Sequence, residues 1–531
     1  MLKHTLSPAP EPQRKRIRLL DQADKHVAEK PTLSDELIVY IFSYLSAQEL
    51  CVAQSASRDW ARLTLDNHLW KSLYMQEYGL RRLRGASGFI ARTDGRQTRG
   101  LPGRAKIEDC HKQWKWMFQT STNWRKGRCS VDIIPETFEE NTAVHTLLVG
   151  PLIVTASSQA STDPRIMLHN AGEPTHFISS CSRQGGGQAE HSITTLALDQ
   201  SPPLPTHSYN RSRVASFLST GEFTVFSINH ADLAASSRLL TYVPANSSTR
   251  TSPIVRAAYH HPVLVTLSQT FSLSIYDVSS ENVSHTQTLT SFTSFPPSSI
   301  VLSAPNAHTN AYKCVLTYST PVYPKHYSIG ATELLFSIPS AVDSLRVIST
   351  RTTKTVDTPQ GWIDEKKLRL MRDQWNRKVE GLSACETDGK WVVMASTPFP
   401  SRSEAIDSPE QPYHRQTVSL QLYRLSLPPM TTALQSPPRA SPSPPKLTFI
   451  RTLEGPPPNV AIGSLYLADG RCVGLSRDGT IWVWDLEAAT DAQVAGPHLV
   501  NASSMIGQVT FDDRRLVCTS DGVITVRRFD I

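Results

Sequence analysis

The sequence lacks the features that mark several large classes of protein. None of its apolar runs approaches the ~18 residues of a membrane-spanning helix, and its basic, proline-rich start has no apolar core typical of a secretory signal. Its eight cysteines form no Cys-x-x-Cys pair, which argues against both a zinc site and a disulfide framework. We therefore expect a protein of the cytoplasm and/or nucleus, with reduced cysteines, no bound metal and no membrane association.

Sequence motifs of common enzymes are also missing. No Gly-x-Ser-x-Gly, Walker or His-Glu-x-x-His pattern occurs, and the Gly-Gly-Gly run at 185–187 does not connect a strand to a helix. We predict no catalytic residues, no cofactor and no intrinsic enzyme activity.

Length and charge indicate more than one domain. At 531 residues the chain is longer than one ordinary domain. Its formal charge of +7 is uneven, because the stretch from Arg81 to Arg128 holds thirteen Lys or Arg and three acids. The basic character therefore belongs to one connecting segment.

The segment from Leu33 to Leu50 has the apolar spacing of a short helix followed by the start of another. The residues that recur on one helical face are Leu37, Ile38, Ile41, Phe42 and Leu45. Thr32 or Ser34 is predicted to cap the first helix, and Ser46 with Glu49 forms a capping-box pattern that opens the second. A third helix is predicted near Ser57 and a fourth before Gly79. Because so few residues bury little area, we expect a partner to cover them.

The segment from Leu33 to Tyr78 resembles an F-box. The matching residues are Leu33, Leu37, Ile41, Phe42, Leu45, Leu50, the Arg58-Asp59-Trp60 run, Leu69 and Trp70. Ser34 departs from the family, which usually has proline there. The resemblance implies docking to the Skp-type adaptor of SCF ubiquitin ligases, and through it to a cullin. The adaptor-binding residues that it implies are Leu33, Ser34, Leu37, Ile38, Ile41, Phe42, Leu45, Leu50 and Trp60. The alternative is a helical cap folded onto the rest of the chain.

From Asn123 onward the pattern changes to short apolar strands separated by turns. "LYLADGRCVGLSRDGTIWVWDL" contains three strands joined at Asp469-Gly470 and Asp478-Gly479, and "GQVTFDDRRLVCTSDGVITVRRFDI" repeats the arrangement. This spacing resembles the WD repeat, one blade of a β-propeller. Five looser copies precede these two, so we expect an all-β propeller of seven blades, with six or eight as alternatives.

The ring of blades is predicted to close with a strand from before the first blade. The segment "NWRKGRCSVDII" is strand-like and can supply the outer strand of the last blade, which would otherwise leave an unpaired edge. The same passage resembles the start of the propeller in F-box proteins with WD repeats.

The complete domain prediction is a small all-α F-box followed by an all-β propeller. It assigns 1–30 to a disordered basic tail, 31–79 to the F-box, 80–123 to a basic linker with a helix, and 124–531 to the propeller. Loop insertions are expected near 171–190, 200–212, 351–380, 400–416 and 430–446, where proline, glycine and serine are common. Within 362–382, Leu368, Met371, Trp375 and Val379 predict a helix packed on the propeller rim. Partner binding is the alternative for that helix.

Two basic stretches have functional interpretations of their own. Residues 81–128 include Trp114, Trp116 and Phe118, a mixture that can bind nucleic acid, although a linker helix is the favoured interpretation. Near the N-terminus, a short cluster is typical of a nuclear import signal. Its residues are Arg14, Lys15, Arg16 and Arg18.

Taken with the resemblance, these features predict a non-catalytic substrate receptor of an SCF-type ubiquitin ligase, in which the propeller binds an unknown substrate protein. The alternative is a WD-repeat scaffold in an RNA-associated or ribosome-assembly complex.

Overall fold

The computed structural model describes seventeen stretches of the chain. They are 33–79, 113–139, 142–170, 173–180, 190–201, 211–244, 252–279, 283–303, 311–323, 325–337, 346–356, 361–397, 420–426, 445–457, 460–496, 507–520 and 522–531. The chain divides into two compact units, one ending at Leu69 and the other running from Trp70 to Ile531.

The first unit is built from short helices. They are α1 (Asp35–Phe42), α2 (Ala47–Ala53), α3 (Arg58–Leu63) and the start of α4 (Asn67–Tyr74), which crosses the division between the units. The predicted capping box opens α2, since the backbone N–H of Ser46 donates to Glu49 (2.8 Å) and that of Glu49 to the Ser46 hydroxyl (3.4 Å). Ser34 occupies the N-cap position of α1 but makes no side-chain capping bond, so the predicted capping role of its hydroxyl is wrong.

The core of this unit is small. Phe42 is buried and meets Trp60 edge to face, with ring centroids 5.3 Å apart. Three leucines of this unit are also buried, namely Leu50, Leu63 and Leu69. Phe42 is the one buried residue of α1. The rest of the apolar face of α1 remains at least partly accessible, as expected for a face that a partner covers.

The second unit contains seven four-stranded antiparallel sheets, which confirms the seven-bladed propeller. Blades 1 to 3 consist of β2–β5 (Val144–Val149, Leu152–Ser157, Arg165–His169, His176–Ser179), β6–β9 (Ile193–Leu198, Arg211–Leu218, Phe223–Asn229, Ser237–Tyr242) and β10–β13 (Ile254–His260, Val263–Ser268, Ser272–Asp277, Ser284–Thr290). Blades 4 and 5 consist of β14–β17 (Phe295–Ser303, Ala311–Tyr323, His326–Ser337, Arg346–Lys354) and β18–β21 (Leu382–Thr387, Trp391–Ser396, Leu420–Ser426, Lys446–Leu453). Blade 6 is β22–β25 (Ile462–Ala468, Arg471–Ser476, Ile481–Asp485, Thr490–Ala495).

Blade 7 confirms the predicted closure of the ring, although residues 123–126 of the segment predicted to be a strand are helical. Its strands β26–β28 (Gln508–Phe511, Arg515–Ser520, Val523–Arg528) are completed by β1 (Ser130–Thr137), which precedes blade 1 in the sequence. Strand β1 pairs with β28 from Ser130 opposite Arg528 to Thr137 opposite Val523. The edge of the last sheet is thereby paired with backbone hydrogen bonds.

Helix α5 (Trp114–Lys126) leads into β1 and is fixed to blades 6 and 7. The side-chain amide of Asn123 donates to the Phe529 carbonyl (2.8 Å), and the Trp124 indole N–H donates to the Asp513 carbonyl (3.0 Å). Trp124 stacks on Phe529 with 3.7 Å between ring centroids. Gly127 ends the helix at φ +66°, where a Cβ would lie 2.7 Å from the Gln493 carbonyl oxygen. These contacts explain why this short passage marks the start of the propeller.

The strand order places the loops on two opposite faces of the ring. The first strands of the blades contact one another around the centre. In antiparallel blades, the turns after the first and third strands share one face, here called the linker face because α5 contacts Asp513 and Phe529 there. The turns after the second strands and the connections between blades share the other face, here called the distal face. The β15–β16 turn and the connection from β17 to β18 therefore lie together on the distal face.

The connection between blades 4 and 5 carries helix α6 (Glu365–Trp375). The predicted helix exists, but none of its residues is buried; Leu368 and Met371 are half-buried, while Trp375 is exposed. Val379, which follows the helix, is buried and pairs with Tyr327 of β16. The helix therefore rests on the rim without entering a core.

Candidate adaptor-binding surface of the F-box

An exposed apolar strip runs along α1. Leu33 precedes the helix, and Leu37 and Ile41 follow at four-residue steps that place all three on one side. Leu37 is 52% exposed and Ile41 49%. A contiguous row of large aliphatic side chains left in water is typical of a protein-binding surface. The structure therefore brings together three of the residues that the F-box resemblance assigns to adaptor binding.

Two tyrosines extend this strip and were missed by the sequence interpretation. Tyr40 and Tyr44 are strongly exposed, and their rings meet edge to face at 5.3 Å. The hydroxyl of Tyr44 is hydrogen-bonded to that of Tyr40 at 2.6 Å, and this bond raises the pKa of Tyr44. The spacing of Leu33, Leu37, Tyr40 and Tyr44 by four, three and four residues is the signal that could have identified them.

The other residues assigned to adaptor binding have varied positions. Ser34 and Trp60 are exposed, while Ile38 and Leu45 are half-buried. Phe42 and Leu50 are buried, so they support the helices from within. That all nine residues contribute to adaptor binding stays a prediction.

Arg62 holds α3 against α1 at the exposed end of the unit. Its guanidinium donates to the Asp35 carboxylate at 2.6 Å, and this hydrogen bond, with the opposite charge, raises the pKa of Arg62. Both side chains are exposed, so the pair orients the first turn of α1 and contributes little to stability.

The aromatic residues considered for nucleic-acid binding are largely occupied by contacts within the chain. Trp114 and Phe118 are buried, and Trp116 is half-buried beneath the guanidinium of Arg514, whose central carbon lies 4.7 Å from the ring centroid. In this arrangement Trp114 and Phe118 have no exposed ring face on which a base could stack. Residues 80–112 of the basic segment lie outside the described residues. So does the cluster Arg14, Lys15, Arg16 and Arg18 of the predicted nuclear signal.

Within the described ranges, no group of three or more His, Cys, Asp or Glu side chains is arranged to hold a metal ion. In the same part of the chain, no helix is long and apolar enough to cross a bilayer.

A helical unit with an exposed apolar strip, followed by a closed seven-bladed propeller, defines an F-box protein of the propeller-containing class. The F-box-like family model matches residues 35–76. The chain belongs to the F-box protein pof12 β-propeller family, whose model matches residues 145–420, over half of the sequence. This architecture is typical of non-catalytic receptor proteins, and the F-box implies binding to an adaptor of the Skp type.

Solved propellers match this chain with low sequence identity. The WD40 propeller of Doa1 aligns with 12% identity and a TM-score of 0.36, covering 75% of this chain and 97% of that one. The Myceliophteria thermophila Cps50 (Swd1) propeller aligns with 8% identity and a TM-score of 0.39, covering 75% and 99%. The designed Ika8 protein aligns with 13% identity and a TM-score of 0.35, covering 74% and 98%. Comparison with curated proteins gives no significant match.

Proposed function

We propose that this protein is a substrate receptor of an SCF-type ubiquitin ligase, acting in the cytoplasm and/or nucleus. Its F-box binds the Skp-type adaptor, which connects it to a cullin, and its propeller binds the substrate protein. The single observation that carries the proposal is the exposed strip of Leu33, Leu37 and Ile41 on α1.

The strip has the chemistry that such an interface needs. Burying one large aliphatic side chain contributes about 1.5–3 kcal/mol, so three adjacent residues supply enough free energy for a stable complex if their partner is complementary. The F-box alone has a small core, and a partner that covers the strip also stabilises the helices by mass action.

The receptor has no chemical step of its own under this proposal. Ubiquitin transfer is performed by an enzyme that the cullin recruits, and the receptor raises the effective concentration of substrate lysines near that enzyme. The propeller is well suited to this role because its closed ring holds the binding face rigid.

The proposal is tested by measuring adaptor binding of the full-length chain by biolayer interferometry. Leu37→Asp and Ile41→Asp each place a charge in the contact, and we expect each to weaken binding by about 3 kcal/mol or more, which is at least about 100-fold. Leu239→Asp provides the matched control, because Leu239 is a similarly exposed leucine on β9 of the propeller. It should bind the adaptor as the unmodified chain does.

Circular dichroism of all three variants checks that the propeller remains folded. Full adaptor binding by both Leu37→Asp and Ile41→Asp would refute the F-box assignment. In that case an RNA-associated scaffold would be the next function to test, by recovery of ribonucleoprotein components on affinity purification.

A further inference from the structure

A group of exposed aromatic residues lies on the distal face of the propeller. It is formed by the connection between blades 4 and 5 and by the β15–β16 turn. We call it the blade 4 platform and define it by Tyr323, Trp362, Leu370 and Trp375 with the cations Lys366, Arg372 and Lys378. Trp362 is 86% exposed, and Tyr323, Leu370 and Trp375 are also exposed. Tryptophan left this open to water is unusual, since its large apolar surface is normally buried at least in part.

The platform extends along the length of α6, and direct contacts join the residues at its C-terminal end. The rings of Tyr323 and Trp375 have their centroids 6.1 Å apart, and the Lys378 ammonium lies 4.6 Å from the Trp375 centroid. Trp362 is tied to the first turn of α6, because its carbonyl accepts a hydrogen bond from the Lys367 ammonium (2.8 Å). Exposed rings therefore lie at both ends of α6, with Trp362 before its first turn and Trp375 beside Tyr323 at its C-terminal end, and Lys366 and Arg372 lie on the helix between them.

The C-terminal end of the platform is also held in place. Tyr327 and Val379 exchange two backbone hydrogen bonds, with N–O distances of 2.6 and 3.0 Å, which join the hairpin to the end of the helix. The Arg377 guanidinium stacks on Phe449 with 4.4 Å to the ring centroid, and its carbonyl accepts from the Gln421 side chain (3.3 Å). A surface fixed in this way loses little conformational entropy on binding.

The charges of the platform are unbalanced. Residues 361–382 contain six Lys or Arg and four acids. Asp364 is used to cap α6 by accepting from the Lys367 backbone N–H (2.7 Å), and Glu365 pairs with Arg369 (3.1 Å). Among the described residues, Lys366, Arg372 and Lys378 form no ion pair. The platform therefore offers cations to a partner of the opposite charge.

We propose that the blade 4 platform binds an acidic segment of a partner protein that carries large apolar side chains. The proposal rests on the proposed substrate-receptor function and specifies the chemistry of the segment that the receptor holds. Apolar side chains of the segment cover Trp362 and Trp375, and its carboxylates pair with Lys366, Arg372 and Lys378. Burial of the indole rings supplies affinity, and the charges supply orientation and a faster association rate.

A protein segment is favoured over nucleic acid by the charge pattern. Asp373 and Glu380 are exposed within the same stretch, and both would repel a phosphate backbone that followed the surface. A peptide can avoid these two acids by placing neutral residues opposite them.

The test uses a display library of random 16-residue peptides selected on the intact purified protein. We expect the enriched peptides to be acidic and to contain Trp, Phe, Tyr or Leu. Their dissociation constants, measured by fluorescence anisotropy at physiological salt, should rise at least about 10-fold in Trp362→Ala and in Lys366→Glu/Arg372→Glu.

Matched controls separate the platform from general surface effects. Leu239→Ala removes an exposed apolar side chain on blade 2, and Lys446→Glu reverses an exposed charge at the start of β21. Both should change peptide affinity less than 2-fold. Enriched peptides that are neutral or basic, or that bind Trp362→Ala as they bind the unmodified protein, would overturn the proposal. So would a failure to enrich any peptide.

Two further measurements separate peptide binding at the platform from adaptor binding and from RNA binding. Leu37→Asp should keep full peptide affinity and Trp362→Ala full adaptor affinity, so a failure at one site is not confused with a failure at the other. A single-stranded 20-nucleotide RNA should not compete with the peptide. Competition that weakens steeply with salt would replace the acidic protein segment with nucleic acid as the occupant.

Discussion

Replacing Trp124 with alanine should weaken the closure of the propeller more than any change to an exposed tryptophan. Trp124 is 2% exposed, stacks on Phe529 and lies against Phe511, with ring centroids 3.7 and 5.8 Å away. Its indole N–H donates to the Asp513 carbonyl in the turn between β26 and β27. One side chain thus connects the helix before β1 to the blade that β1 completes.

The expected cost follows from these contacts. Truncating a buried aromatic residue to alanine costs about 3–5 kcal/mol, and the cost rises with the volume of the cavity that remains. The Asp513 carbonyl also loses its donor, which costs about 1 kcal/mol unless water replaces it. We expect about 4 kcal/mol in total. With a urea dependence of about 3 kcal/mol per M, the unfolding midpoint of the propeller should fall by roughly 1.3 M.

Trp362→Ala is the matched control for this measurement. It makes the same chemical change at a residue that is 86% exposed, so its midpoint should shift by less than about 0.2 M. Unfolding is followed by far-ultraviolet circular dichroism, because loss of a tryptophan alters fluorescence directly. Equal shifts in the two variants would refute the role assigned to Trp124 in closing the ring.

Three further predictions concern single residues. Gly127→Ala should lower the free energy of unfolding by about 2 kcal/mol or more, because the residue has φ +66° and its new Cβ would lie 2.7 Å from the Gln493 carbonyl oxygen. Gly361→Ala is the control, since Gly361 has φ +81° with nothing within 4 Å and should show only the smaller cost of the backbone conformation. Equal urea midpoints in the two variants would contradict the clash. Burial, followed by the charge of Arg256, lowers the pKa of His145 to about 4. The unfolded chain therefore takes up a proton near pH 6.5 that the folded ring does not accept, so stability is lost as the pH falls from about 6.5 to 4, by about 3 kcal/mol. In His145→Gln the drop in urea midpoint between pH 7 and 4.5 should be smaller than in the unmodified chain, and an identical drop would refute this. Burial raises the pKa of the Cys314 thiol to about 12, whereas Cys51 is exposed. Iodoacetamide followed by peptide mass mapping should label Cys51 in minutes and Cys314 only after unfolding, and similar rates would disprove the burial.

Turn chemistry and strand pattern made much of the propeller predictable. At Asp469-Gly470 both residues have positive φ, 47° and 71°, as a tight hairpin between apolar strands requires. The need to pair the edge of the last blade, together with a strand-like segment before blade 1, predicted the closing strand, and β1 completes blade 7. These features are local or follow from the need to satisfy backbone groups, so sequence is sufficient for them.

The open α1 face was expected from the small size of the helical segment, but the helical period alone could not predict it. Periodicity identifies which residues share a side of a helix, but it does not say whether that side meets the chain's own core. Phe42 does so, while Leu37 and Ile41 on the same helix remain in water. The same limit applies to α6, whose apolar spacing predicted packing although no residue of the helix is buried. Burial depends on tertiary neighbours that the period does not encode.

The closing strand has a consequence for synthesis. During translation β1 is the first strand to leave the ribosome, and its partner β28 follows only after residues 138–522 have been made. At a synthesis rate of about 5–20 residues per second, β1 remains without its partner strand for roughly 20–80 s. Throughout that interval β1 lacks its partner strand, and its unpaired backbone groups can bind a foreign strand. Cells that make this protein rapidly should therefore depend on chaperones that cover β1 until the last blade emerges.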